Sequence, residues 1–113
     1  MKAVRQAVID IGSNTVRLVV YAGLPRAPLP IYNEKSRVKL GACLAGDGII
    51  DKATMKKALA ALARFETLAK AMKVDTMRVV ATAATREAKN GAELVEKAAA
   101  LGIHVDVLDG DAE

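Results

Sequence analysis

The stretch Val8-Ile9-Asp10-Ile11-Gly12-Ser13-Asn14-Thr15 is the one whose residue types and spacing suit chemistry best. An apolar run delivers a carboxylate, Asp10, to its end, and a tight turn of Gly, Ser and Asn follows. Gly12 permits close backbone approach, and the side chains of Ser13, Asn14 and Thr15 add donors to the N–H groups of the turn. Successive N–H groups in such a turn form an anion-binding nest. Asp10 would repel a bare phosphate, so an anion site here needs a Mg²⁺ ion or a water between the charges. The same residues also suit a hairpin turn whose polar side chains bond their own backbone, and turn chemistry by itself favours that plainer reading. Neither G-x-x-x-x-G-K-S/T nor G-x-G-x-x-G occurs, which removes Walker-type nucleotide binding and Rossmann cofactor binding. Taken singly, Arg86 reads as a solvated helix arginine and Glu113 as a chain-terminal carboxylate. His104 reads as a packed or rim histidine, because no second His or Cys stands near it at metal-ligand spacing. Cys43, in a glycine-rich stretch without a neighbouring His, reads as an inert thiol.

The elements that must position these residues follow from hydrophobic period and turn chemistry. Ala3 to Ile11 predicts a strand, and Thr15 to Ala22 resumes with β-branched residues, so the two predict a hairpin. Pro25, Pro28 and Pro30 punctuate a loop that cannot be a central strand. Ile31 to Leu40 predicts a third, half-exposed strand, and Gly41 to Ile50, with three glycines, predicts a loop. Asp51 is placed to cap a helix from Lys52 to about Met72, with apolar residues at three- and four-residue steps. The lysines of its first turn oppose the helix dipole and have no rationale in stability. Met77 to Thr82 predicts a buried strand, Thr85 to Lys89 one helical turn stopped by Asn90-Gly91, Ala92 to Leu101 a helix ended by Gly102, and Ile103 to Leu108 a strand. Helix–strand–helix–strand at this spacing argues for parallel strands joined by crossovers. The expected class is α/β, a mixed sheet beginning with an antiparallel hairpin and flanked by helices.

Composition bounds the rest. The chain has 113 residues, 52% of them hydrophobic but only 3% aromatic. One domain with a core of Ala, Val, Leu and Ile follows, and disorder, collagen-like repeats and a disulfide scaffold are excluded. Leu18 to Leu24, the longest clearly apolar run, is about a third of a membrane span. Arg5 and Asp10 interrupt the place where a signal peptide needs its apolar stretch. One cysteine allows no internal disulfide, so the expectation is a soluble, cytoplasmic chain with no membrane partner. The net charge of +4 is uneven: residues 1–57 hold ten Lys/Arg against four Asp/Glu, and residues 58–113 hold seven against nine. A basic first half suits an anionic partner or a plain solvated surface equally well.

Asp10-Ile11-Gly12-Ser13-Asn14-Thr15-Val16-Arg17-Leu18 closely resembles the first phosphate-binding loop of the exopolyphosphatase/guanosine pentaphosphate phosphohydrolase family, part of the sugar kinase/actin superfamily. Arg37 to Gly41, Ala81 to Asn90 and Val105 to Glu113 match in the same order, so the resemblance covers the whole chain. It implies a ribonuclease-H-like (actin-like ATPase) lobe. Gly12, Ser13, Asn14 and Thr15 would cradle the phosphate being cleaved, and Asp10 would hold Mg²⁺ or its waters. Arg86 would bind phosphate, Glu113 would activate the attacking water, and Arg37 would lie near the cleft. Ala112 and Asp109 depart from the family pattern, which usually has Glu and Ser there. The family's second phosphate loop would lie beyond Glu113, so the expectation is residues 1–113 as the first, incomplete lobe of a longer two-lobed enzyme.

The implied activity is hydrolytic release of terminal phosphate from polyphosphate or guanosine pentaphosphate. No nucleic-acid partner is implied. Two rivals are a non-catalytic polyphosphate or alarmone-binding module and a kinase of the same superfamily. Lys56, Lys57, Arg64 and Lys70 suit a solvated helix face better than a polyphosphate track. The incomplete lobe by itself is expected to pair as a homodimer and to lack phosphatase activity.

Overall fold

The computed structural model describes residues 4–24 and 26–109. Along them run β1 (Val4–Ile11), β2 (Thr15–Gly23), β3 (Leu29–Arg37), α1 (Leu40–Ala45), α2 (Lys52–Ala71), β4 (Thr76–Ala81), α3 (Ala83–Glu87), α4 (Gly91–Ala100) and β5 (Val105–Val107). The strands form one sheet in the order β3-β2-β1-β4-β5. β1 and β2 form the expected hairpin, β3 adds antiparallel to β2, and β4 and β5 add parallel on the other side. This is the expected mixed α/β sheet with crossover helices, the ribonuclease-H-like arrangement.

Alternation along the strands decides which face is buried. Ala7, Ile9 and Ile11 of β1 and Val16, Leu18 and Val20 of β2 are buried, whereas Gln6, Asp10 and Arg17 between them are exposed. α2 lays Met55, Ala58, Ala61, Leu62, Phe65 and Ala69 into the same core. Leu94 and Ala98 of α4, with Ile103 and Val105, complete it. Phe65 is the largest fully buried side chain, so the Ala-rich helix and the branched strand residues supply most of the packing. Each fully buried Leu, Ile or Phe contributes about 1.5–3 kcal/mol relative to exposure. Asp51 caps α2 as expected, its Oδ1 accepting from the Thr54 N–H at 2.7 Å.

β3 is an edge strand, which explains how it tolerates Pro30: the missing donor costs no ladder bond on its outer side. It starts two residues earlier than expected and ends at Arg37. The β2–β3 register shifts between Val20 and Tyr21, where Tyr21 comes to face Pro30. Tyr32 Oη donates to Glu34 (2.6 Å), and Glu34 takes a bidentate pair from Arg64 of α2 at 2.7 and 3.1 Å, tying this edge to the helix layer.

Three expectations need correction. Gly41 to Ile50 is not wholly a loop, because Leu40–Ala45 form α1. Leu40 is buried and anchors it, the Gly41 N–H donates to the Ser13 carbonyl at 2.8 Å, and the chain enters through Lys39 in the left-handed region (φ 60). The turn expected at Thr85–Lys89 lies two residues earlier, and Asn90-Gly91 opens α4 rather than stopping a helix. A Cβ on Gly91 would stand 1.9 Å from the Thr85 carbonyl oxygen, so only glycine fits where α4 leaves α3. The last strand is also shorter than Ile103 to Leu108, at three residues.

Candidate functional site

β1, β3, β4 and β5 all run in one direction, so their C-terminal ends share one edge of the sheet. Asp10 lies at the end of β1, Arg37 at the end of β3, Thr82 just past β4 and Leu108 just past β5. In open α/β sheets the crevice outside the carboxyl ends of the strands is where ligands bind. Asp10, residues 12–15, Arg37 and Arg86, nominated from three separate stretches of sequence, are therefore brought to one end of the molecule.

The 12–15 turn is closed by the Gly12 N–H donating to the Thr15 carbonyl at 2.9 Å. The segment after β3 then holds it by its carbonyls. The N–H groups of Val38 and Lys39 both donate to Asn14 O at 2.9 Å, and Gly41 N–H donates to Ser13 O at 2.8 Å. In a trans peptide the N–H opposes the C=O, so anchoring the Ser13 carbonyl aims the Asn14 N–H away from that segment. Among the described residues, the N–H groups of Ser13 and Asn14 donate to nothing. Both residues are exposed. The turn is thus a fixed hairpin that leaves two backbone donors open, the requirement for holding an anion.

Asp10 is exposed and stands opposite Arg17 on β2 and Val80 on β4. Among the described residues its carboxylate takes no hydrogen bond or ion pair. No three His, Cys, Asp or Glu side chains among the described residues come together to hold a metal. A lone carboxylate beside an anion nest suits Mg²⁺ better than a closed metal cage, because Mg²⁺ is commonly bound by one or two carboxylates with substrate phosphates and water.

Arg86 Nη1 donates to the Leu108 carbonyl at 2.7 Å, which ties the guanidinium to the end of β5. Leu108 is itself fixed by its N–H donating to Ala81 O at 2.9 Å. Arg37 lies opposite Thr15, one strand over from the turn. Glu113, with Ala112, lies outside the described residues.

Two positioning groups were not singled out from sequence. The Thr82 N–H and hydroxyl both donate to the Ile11 carbonyl (3.2 and 3.4 Å), locking the end of β4 to the end of β1 beside Asp10. Asn90 pairs with the backbone of Ile50 in both directions, accepting its N–H at 2.8 Å and donating to its carbonyl at 3.0 Å. Neither partner is adjacent in sequence, so no local signal marks them. His104 is exposed and faces Asp106 at 3.2 Å, which accords with a rim histidine. Cys43 is half-buried and unbridged, its Sγ 4.0 Å from Asp51 Oδ2. A groove of about 620 Å³ between α2 and α4 holds none of Asp10, residues 12–15, Arg37 or Arg86; the strand-end convergence is the better guide to the site.

A parallel-and-hairpin mixed sheet of this order, with a DxGSN turn at its carboxyl edge, is a lobe of the actin-like ATPase fold. The chain belongs to the Ppx/GppA phosphatase family, whose sequence profile matches residues 19–113. The 12–15 turn lies just ahead of that match. A guanosine-5'-triphosphate,3'-diphosphate pyrophosphatase of Vibrio cholerae is 29% identical over 95% of this chain and 22% of its own length. The crystal structure of the Aquifex aeolicus member of the Ppx/GppA family is 29% identical with a TM-score of 0.89, covering 95% of this chain and 35% of that one. An exopolyphosphatase from Cytophaga hutchinsonii is 31% identical with a TM-score of 0.86, over 95% of this chain and 35% of its own. The chain spans between about a fifth and a third of these relatives. No helix among the described residues is long and apolar enough to cross a membrane.

Proposed function

We propose that this chain is the first lobe of a phosphoanhydride hydrolase that releases terminal phosphate from inorganic polyphosphate or guanosine pentaphosphate. The observation that carries the reading is the pinned 12–15 turn, whose Ser13 and Asn14 N–H groups, like the nearby carboxylate of Asp10, have no partner among the described residues. Gly12, Ser13, Asn14 and Thr15 receive the transferred phosphate. Arg86 supplies charge to its oxygens, and Arg37 borders the cleft. Asp10 holds Mg²⁺ or its waters; when bound, that ion offsets the negative charge that builds up in phosphoryl transfer. Glu113 serves as the base toward the attacking water. Cleavage needs the remainder of the longer enzyme, so the 113-residue chain alone releases no phosphate.

The lone, unbridged Cys43 accords with a reducing, cytoplasmic compartment. The sheet face opposite α2 carries half-buried Val8, Val19 and Tyr21, and we assign pairing with a second copy to it; sedimentation of the purified chain measures this.

Phosphate release by the complete protein tests the site. Arg86→Ala lowers kcat/KM by an amount corresponding to about 2–4 kcal/mol, as for other preorganised donors to a developing charge. Arg86→Lys recovers only part, lacking the planar fork. Asp10→Ala abolishes the Mg²⁺-dependent rate without loss of fold. An Arg86→Ala enzyme within twofold of wild type, or an Asp10→Ala enzyme with full turnover, refutes the assignment.

A further inference from the structure

The flank of α2 that faces α4 carries a feature that the phosphate chemistry does not use. β3, β4 and β5 run in one direction, so the helices that cross back between them lie side by side and point the same way. Asn90 clasps their starts through its two bonds to Ile50. Between the helices runs a groove of about 620 Å³, within the size range of small-molecule sites. Along α2 it extends from Lys52 to Ala63, about 16 Å of helix. Ile50 and Met55 are buried at its floor, Leu59 is half-buried, and Leu101 of the opposite wall is 51% exposed. Ala60 and Ala63, both exposed and small, leave the far half open.

The charge sits at the end where both helices begin. Lys52 and Lys56, four residues apart on one helix face, form no ion pair among the described residues. Glu93, the carboxylate that lines the groove, is already held by Lys97 at 3.1 Å and by the Asn90 amide at 3.4 Å. Lysines in the first turns of a helix work against its dipole, so helix stability does not account for the pair. Beyond Lys56 the α2 wall is Leu59, Ala60 and Ala63, without a charge. A compact polar anion would leave that apolar length unused, and a plain hydrocarbon would leave the lysines unused. A ligand with an anionic head and an apolar tail uses both.

We propose that the groove between α2 and α4 binds a free, single-chain anionic amphiphile of the fatty-acid class. Its carboxylate lies by Lys52 and Lys56, and its alkyl chain runs over Leu59, Ala60 and Ala63 toward Leu101. A bilayer surface would call for apolar side chains that project from the protein, whereas Ile50 and Met55 are sunk in a furrow. Asp10, residues 12–15, Arg37 and Arg86 lie outside the groove, so the site stands apart from the phosphate-binding reading.

The test titrates the whole chain with sodium decanoate below its micelle-forming concentration, by calorimetry and by amide chemical shifts. Shifts appear at residues 52–63 and 97–101 and not at 12–15. A fully buried methylene is worth about fourfold in affinity, and one half-buried in an open groove about twofold, so hexanoate binds about 10- to 20-fold more weakly. Lys56→Gln weakens decanoate about two- to fivefold, the range of one exposed charge pair, and leaves decanol unchanged. Ala60→Trp fills the furrow from an exposed position and abolishes binding of both, with Tm unaltered. Absence of decanoate binding, equal affinity for hexanoate and decanoate, or shifts on the open sheet face at Val8, Val19 and Tyr21 overturn the site. So does an affinity that Lys56→Gln and Ala60→Trp both leave unmoved, or attachment to phosphatidylglycerol vesicles alone.

Discussion

Asn90 offers the sharpest test of how the site is held. Its side chain imitates a strand partner for Ile50, with one bond in each direction at 2.8 and 3.0 Å, while the neighbouring Lys89 N–H donates to Gly48 O at 2.8 Å. These three bonds join the start of α4 to the approach into α2 and so connect the two helices that cover the sheet. Ile50 is buried, so water cannot fully replace the lost partners in Asn90→Ala. Two hydrogen bonds at about 0.5–1.5 kcal/mol each give a loss of about 1–3 kcal/mol. At about 2.1 cal/mol/K per residue of unfolding entropy, a mid-range loss of about 2 kcal/mol lowers Tm by roughly 8 °C for this chain. Asn90→Asp keeps the acceptor for the Ile50 N–H but faces its carbonyl with another acceptor, so it falls between wild type and Asn90→Ala. Urea unfolding followed by circular dichroism, with an unchanged m-value, measures the difference. An Asn90→Ala protein within about 0.5 kcal/mol of wild type, the range of an ordinary surface change, would show that the clasp adds nothing.

Gly91→Ala forces backbone movement, because the new Cβ would lie 1.9 Å from the Thr85 carbonyl oxygen; it costs about 3 kcal/mol, the upper end for overpacking, and calorimetry that finds it neutral refutes the close approach. The bond from Arg64, and after it the Tyr32 hydroxyl, holds Glu34 below its ordinary value of 4.5, and the Thr54 backbone N–H holds Asp51 below 3.8. Both carboxylates stabilise the folded chain fully above those values and lose that contribution as pH falls through the depressed ones. Glu34→Gln therefore flattens the acid limb of a plot of Tm against pH, and an unaltered limb refutes the linkage. The bond to Glu34 raises Tyr32 above 10.0, so that side chain's contribution is complete below pH 10 and is lost as pH rises beyond it.

The parts of the fold legible in sequence are those with a period of their own. β1 and β2 alternate, α2 repeats its apolar residues every three or four positions behind an Asp cap, and both were placed to within a residue or two at their described ends. The short helices α1 and α3 were missed or displaced because tertiary bonds fix them: Gly41 to Ser13 in one case and Arg86 to Leu108 in the other. Asn90-Gly91 has the composition of a helix stop, and nothing local shows that the Asn side chain is already committed to Ile50, forty residues away. Arg86 was legible only through resemblance, since one arginine in one helical turn looks like any solvated cation.

The 12–15 turn shows why local chemistry left its two readings open. The bond from Gly12 N–H to Thr15 O is the self-satisfied hairpin of the plainer reading, and it is present. What favours the nest lies outside the turn, in Val38, Lys39 and Gly41, which bond the carbonyls of Ser13 and Asn14. A peptide whose oxygen is fixed has its N–H fixed as well, pointing the other way. Hairpin and nest are therefore compatible in one structure: closure makes the turn rigid, and the bond from Gly41 to the Ser13 carbonyl orients the Asn14 N–H that closure leaves over. Loss of the bond from Gly41 would leave the turn closed but the Asn14 N–H unaimed, so the anion affinity proposed for residues 12–15 would depend on a segment that touches no anion.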